Sequence, residues 1–256
     1  MRIAPALLCL ALAPQAHALP CSAQSGPHTA ALVELYTSEG CDSCPPADRW
    51  LQGLGTRGYA PERVVPLSLH VNYWDYIGWK DPYAQQRFSD RQRKLAQVLR
   101  ARIVYTPQVM LQGKDFRRWH TGEFDAAVKA INARTPKAKI ELRLESGRTD
   151  TLLAQVQAQL LDPARAPDAA LYLASYENKL VSSVSAGENR GRRLQHDYVV
   201  FEWLGPIPFT GGRVDERRAL PLVPKAVPAH SGVAAFVQDR RTAEVLQALM
   251  LPACPG

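Results

Sequence analysis

Two hydrophobic rhythms divide the chain. Residues 30–36, Ala-Ala-Leu-Val-Glu-Leu-Tyr, are mostly apolar and end at Thr37-Ser38-Glu39-Gly40, which predicts a buried strand followed by a loop. Pro45 and Pro46 fit the first turn of a helix, where a missing amide costs nothing, and Trp50, Leu51 and Leu54 then recur at helical spacing. A helix over 47–54 with Cys41 at its N-terminus follows. The same patterning predicts a second strand at 64–71, a basic amphipathic helix at 82–100 and a third strand at 107–111. A turn over 112–115 then leads into a short fourth strand at 116–119, and a helix follows at 123–133. The order β-α-β-α-β-β-α predicts one α/β domain over residues 28–135.

After Thr135-Pro136-Lys137 the period becomes two. Ile140-Glu141-Leu142-Arg143-Leu144 and Gln155 to Leu160 alternate apolar and polar positions around a Gly147-Arg148-Thr149-Asp150 turn, as half-buried antiparallel strands do. Further strands are expected at 170–176, 194–203, 232–237 and 244–249. Roughly seven short strands in about 120 residues predict an all-β, sandwich-like domain over 137–256.

The first eighteen residues carry one Arg, an apolar run and Ala16-His17-Ala18, the pattern of a cleaved export leader. An exported protein, periplasmic or secreted, is expected. The apolar run is too short for a roughly 30 Å hydrocarbon layer, so stable membrane insertion is not expected. Across 256 residues, Lys and Arg outnumber Asp and Glu by 31 to 24, for a formal charge of +7, but the basic residues are scattered. Scattered charge makes no stripe for a phosphate backbone, and no nucleic-acid partner is expected.

Removing residues 1–18 takes Cys9 and leaves Cys21, Cys41, Cys44 and Cys254. Cys21 and Cys254 lie near the two mature ends and are expected to form a structural disulfide, worth about 4–5 kcal/mol on the loop-entropy model; two free thiols are the alternative. Cys41 and Cys44 form a Cys-x-x-Cys unit after a strand and before a helix. The helix dipole there favours a thiolate at Cys41, and Cys44 can resolve what Cys41 attacks. Half a zinc site shares this spacing, but no second Cys-x-x-Cys or His-x₃₋₅-His completes one, so no metal or cofactor beyond the redox-active pair is expected.

Residues 103–111, Ile-Val-Tyr-Thr-Pro-Gln-Val-Met-Leu, start a strand at a Thr-Pro bond, and with the Cys pair they resemble thioredoxin-like proteins. The resemblance implies a cis Thr106-Pro107 bond lying against the Cys pair, with the backbone of Thr106 pairing with a bound substrate chain. Two longer runs carry a more specific resemblance. Residues 33–48, around Gly40-Cys41-Asp42-Ser43-Cys44-Pro45-Pro46, and residues 70–82, from His70-Val71-Asn72-Tyr73-Trp74 onward, are similar to the secreted thioredoxin-like family catalogued as domain of unknown function 1223. The run Gly187-Glu188-Asn189-Arg190-Gly191 through Val200 resembles the same family. It is read as a hairpin or interdomain loop that roofs the Cys site.

Glu34 stands seven positions before Cys41, where a buried carboxylate would exchange a proton with the resolving thiol; thioredoxins carry the equivalent acid six positions before. A solvent-facing Glu34 is the alternative. Asp42 opposes the helix dipole at Cys41. The 70–81 run, with His70 and Trp74, sits where α/β ligand sites gather and either lines a substrate groove or covers the core. His120 is expected to be structural. Three functions fit these residues: an exported thiol–disulfide oxidoreductase exchanging with a protein or small-thiol partner, a copper(I)-handling module using Cys41, Cys44 and His70, and a non-catalytic binding protein with a static disulfide.

Overall fold

The computed structural model describes residues 21–146, 151–222 and 227–253. The expected leader, the turn expected at 147–150 and Cys254 lie outside these described residues. Strands β1 (Cys21–Gln24), β2 (Ala31–Thr37), β3 (Val64–His70), β4 (Gln108–Leu111) and β5 (Lys114–Asp115) are interspersed with helices α1 (Pro45–Gln52), α2 (Gln86–Val98) and α3 (Glu123–Asn132). Strands β6 (Ala138–Ser146), β7 (Thr151–Leu160), β8 (Ala169–Glu177), β9 (Leu180–Ser183) and β10 (Arg193–His196) follow. The chain continues through β11 (Val199–Pro208), β12 (Arg213–Pro221), β13 (Ser231–Asp239) and β14 (Val245–Pro252).

The expectation of an α/β thioredoxin-like domain followed by an all-β sandwich is corrected. The protein is mostly β-sheet, with three α-helices among the described residues, and strands from both halves join one eight-stranded mixed sheet in the order β14-β13-β8-β11-β3-β2-β4-β5. The seam is parallel. Val199 of β11 pairs with Ser68 of β3, and Ser68 N–H donates to the Tyr198 carbonyl at 2.8 Å. Apolar alternation places a strand in a sheet but does not name its neighbour, so the joining of β11 to β3 leaves no local signal.

All seven residues of β2 are buried because both of its faces are covered. Ala31, Val33 and Leu35 pack on α1 and α3 through Leu51, Phe124 and Val128. Leu32 and Tyr36 share the opposite core with Phe88 and Leu95 of α2. A four-stranded antiparallel sheet, β1-β6-β7-β12, covers the other half of the large sheet. Its Ile140, Leu142 and Val156 share a core with Leu171 and Leu173 of β8 and with Val233, Ala235 and Val237 of β13.

Several elements differ from expectation. The fourth strand falls on Lys114–Asp115, with 116–119 as loop and turn, and α2 starts at Gln86 because a turn at 82–83 precedes it. The single strand expected at 194–203 is split into β10 and β11 at Asp197-Tyr198, where Tyr198 has φ 58°. Strands β1, β9 and β12 are additions that the sequence pattern does not predict.

Candidate functional site

The end of β2 delivers the chain to the N-terminus of α1. Cys44 is the N-cap residue, Pro45 and Pro46 fill the first turn, and Asp48 N–H donates to the Cys44 carbonyl at 3.1 Å. Cys41 and Cys44 form a disulfide with Cα atoms 5.4 Å apart. Both cysteines are 0% exposed, although Asp42 and Ser43 between them are exposed. Cys41 is covered on its loop side as well.

Two segments make the cover. Gly40 packs so tightly under Trp74 that an added Cβ would lie 3.0 Å from the Trp74 Cβ, and Trp74 Nε1 donates to Thr106 Oγ1 at 2.7 Å. Trp74 thereby connects the Cys loop to the Thr106-Pro107 turn, whose peptide bond is cis. The second segment is the 187–191 loop. Asn189, fully buried, donates from Nδ2 to the carbonyls of Glu39 (2.8 Å) and Cys41 (2.9 Å), and Glu188 accepts from Asp42 N–H at 3.1 Å. Gly187, at φ +71°, meets Trp79 and Ile77 where a side chain would crowd them. The loop expected from the Gly187 run to roof the Cys site does lie over it.

Behind the disulfide lies a buried polar network. His70 Nδ1 and Asp81 Oδ2 are 2.7 Å apart, and the same Asp81 oxygen accepts from Glu39 N–H at 2.8 Å. Glu39 accepts from Trp79 Nε1 at 2.8 Å and pairs with His196 Nε2 at 3.0 Å. His196 Nδ1 lies 4.0 Å from Asp48 Oδ2, and the His70 and His196 rings meet edge to face at 4.9 Å. Asp48 Oδ1, His70 Nε2, His196 Nδ1 and Thr37 Oγ1 are buried without a well-formed hydrogen bond among the described residues. Burial pushes the Asp48 carboxyl above its ordinary value, against the opposing pull of His196 and His70. Burial pushes His70 down, but the charge and hydrogen bond of Asp81, with the charges of Asp48 and Glu39, leave it raised. Asp81 is lowered: its burial raises it, and the charge and hydrogen bond of His70 together with the amides of Glu39 and Tyr83 reverse this.

Glu34 is not part of this site. It faces the α2 side of β2, where Arg91 clamps it at 2.6 and 3.0 Å. The one-residue offset from the thioredoxin spacing matters physically, because successive strand residues point to opposite faces. Thr37, on the α1 face, looks toward Asp48 instead. Thus Trp74 ties the Cys loop, through Gly40, to Thr106 and so to Pro107, His70 reaches the same loop through Asp81 and Glu39, and Glu34 lies apart. Sequence reasoning misses Glu39, Asp48, Asp81, Asn189 and His196. All five fall inside the runs 33–48, 70–82 and 187–200, and the spacing of Asp48, four residues after Cys44, is a further signal.

Pro107 also lines a groove of about 240 Å³ with Ile103, Tyr105, Arg117 and Trp119, and Ile103 is 61% exposed. Among the described residues, no group of three or more His, Cys, Asp and Glu is arranged to hold a metal ion. No helix among them is long and apolar enough to cross a membrane. Cys21 is disulfide-bonded, while the expected pairing with Cys254 rests on a residue outside those described.

A crystal structure of an Agrobacterium tumefaciens protein is similar at 22% identity, covering 91% of this chain and 98% of that one, with a TM-score of 0.62. HBP35 of Porphyromonas gingivalis is similar at 15% identity over 89% of this chain and 76% of that one, with a TM-score of 0.67. At these identities the likeness is one of fold. No curated protein matches the chain. The family described as Protein of unknown function (DUF1223) matches residues 32–238, and the chain belongs to that family.

Proposed function

We propose that the protein is an exported thiol–disulfide oxidoreductase in which Cys41 attacks, Cys44 resolves, and the partner is a protein or a small thiol. The observation that carries this reading is the Cys41–Cys44 disulfide at the N-terminus of α1, tied through Trp74 to Thr106 and Pro107. Amides and dipole at a helix start stabilise a thiolate. The groove beside Pro107 offers an apolar wall and Arg117 to a partner chain. Export is supported by the leader pattern of residues 1–18.

One observation favours a second reading. Both cysteines are 0% exposed, as suits a static disulfide, so exchange requires the roof to part. Equilibration with glutathione buffers, followed by alkylation and mass mapping, separates the two. Exchange predicts reversible opening of Cys41–Cys44 and trapping of partner adducts by Cys44→Ser but not by Cys41→Ser. A pair that stays oxidised in the folded protein under excess glutathione establishes the static reading.

A further inference from the structure

We propose that Asp48, not a residue on the strand before the Cys pair, takes up the proton of Cys44 during exchange and passes it toward His196. This rests on the oxidoreductase reading. Asp48 follows the N-cap Cys44 by four residues; Cys44 has helical φ and ψ and its carbonyl accepts from Asp48 N–H at 3.1 Å, a full helical turn that sets the two Cβ atoms about 5–6 Å apart. Its Oδ1 has no well-formed hydrogen bond, its Oδ2 lies 4.0 Å from His196 Nδ1, and it is only 6% exposed. A buried carboxylate whose partners stand this far off is costly in its charged form, which favours its taking up a proton. The groups facing it are Thr37 from β2, His70 from β3 and His196 from β10, with Asp81 and Glu39 behind the histidines.

In the forward direction the reduced pair meets a small disulfide. The Cys41 thiolate bonds to one sulfur, the partner S–S bond breaks, and one thiolate leaves. The Cys44 thiol gives its proton to the Asp48 carboxylate, and the resulting thiolate bonds to Cys41 Sγ. The mixed disulfide breaks and the second thiolate leaves. Cys41 and Cys44 are oxidised, and the small disulfide is reduced to one thiolate and one thiol, the thiol taking the proton that leaves Asp48 through His196.

Oxidised glutathione is the probe, mixed with reduced protein, acid-quenched and analysed for the Cys41 mixed disulfide. Asp48→Asn should lengthen the life of that intermediate roughly 100-fold at pH 7. The ratio should fall as pH rises, because hydroxide then removes the thiol proton without the carboxylate. Formation of the mixed disulfide should be unchanged. Equal lifetimes at pH 7, or a pH-independent ratio, overturn the assignment alone. A wild-type protein that never reacts with oxidised glutathione overturns the exchange reading and this assignment with it. Should Asp48→Asn not fold, the pH dependence of resolution in wild-type protein decides: a rate nearly constant between about pH 7 and 8 is expected when a carboxylate takes the proton, and a roughly tenfold rise per pH unit, as hydroxide alone would give, overturns the proposal.

Discussion

Strand β2 separates two buried charged clusters that differ in how completely they are satisfied. On the α2 face, Arg91 holds both Glu34 oxygens and Gln238, and its guanidinium lies 4.4 Å from the Trp203 ring centre and 5.2 Å from that of Tyr172. On the α1 face, Asp48, His70 and His196 each keep a buried atom without a well-formed hydrogen bond. A fully paired cluster fixes packing and has no capacity left for a proton. The under-satisfied one, beside the disulfide, retains that capacity.

The largest expected effect breaks the satisfied cluster. Arg91→Met leaves Glu34 buried and unpaired and should lower stability by about 3–5 kcal/mol in urea unfolding. Adding Glu34→Leu should restore most of it, because the hydrophobic pair removes the stranded charge. No restoration would mean that Arg91 acts by packing alone.

On the other face, Asn189→Ala removes two donors from the roof and should cost about 2 kcal/mol, since it strands the buried carbonyls of Glu39 and Cys41. Reduction of Cys41–Cys44 by a small thiol should become faster. Unchanged reduction kinetics would place the barrier elsewhere than the 187–191 loop.

How much of this is legible in sequence differs between the same two faces. The strand 30–36, the helix begun by Pro45-Pro46 and the Thr106-Pro107 strand start follow from local pattern, because apolar period and proline geometry act within a few residues. The pairing of β11 with β3 joins residues 68 and 199, and no local rule reaches that far. Glu34 reads as a partner of the Cys pair only if a loop of one extra residue absorbs the offset; β2 instead stays regular from Ala31 to Thr37 and turns Glu34 to the other face. Asn189 and His196 lie in a run that resembles its family as a whole, but their partners Glu39 and Asp48 come from a distant part of the chain.

A smaller, pH-dependent effect should come from Asp81→Asn. His70 is raised in the folded state, so its contribution is full below its ordinary value of 6.5 and is lost as pH rises through the raised value. Asp81 is lowered, so its contribution is present above 3.8 and lost as pH falls through the lowered value. The advantage of wild type over the variant should therefore be greatest between these limits, about 1–2 kcal/mol, and shrink at alkaline pH. Urea unfolding at pH 5.5 and pH 9, conditions on either side of the histidine range, measures the difference. A gap that is constant or widens at pH 9 would contradict the His70–Asp81 pair as its source.

The smallest expected effect tests the link between the Cys loop and the Thr106-Pro107 turn. Trp74→Phe keeps an aromatic body but removes the Nε1 donor to Thr106 Oγ1, which is 2.7 Å away. A neutral hydrogen bond of this kind contributes about 1 kcal/mol, so the loss in urea unfolding should be no larger. Gly40 sits against the Trp74 Cβ, which the substitution retains, so the cover over the disulfide should stay in place. Reduction by a small thiol should then keep nearly its wild-type rate, in contrast to Asn189→Ala. On the exchange reading, reaction with a peptide disulfide should slow, because the peptide would pair with the backbone of the Thr106 turn. If both rates change together, Trp74 serves as cover rather than as a tie to the turn, and the distinction between the two roof segments fails.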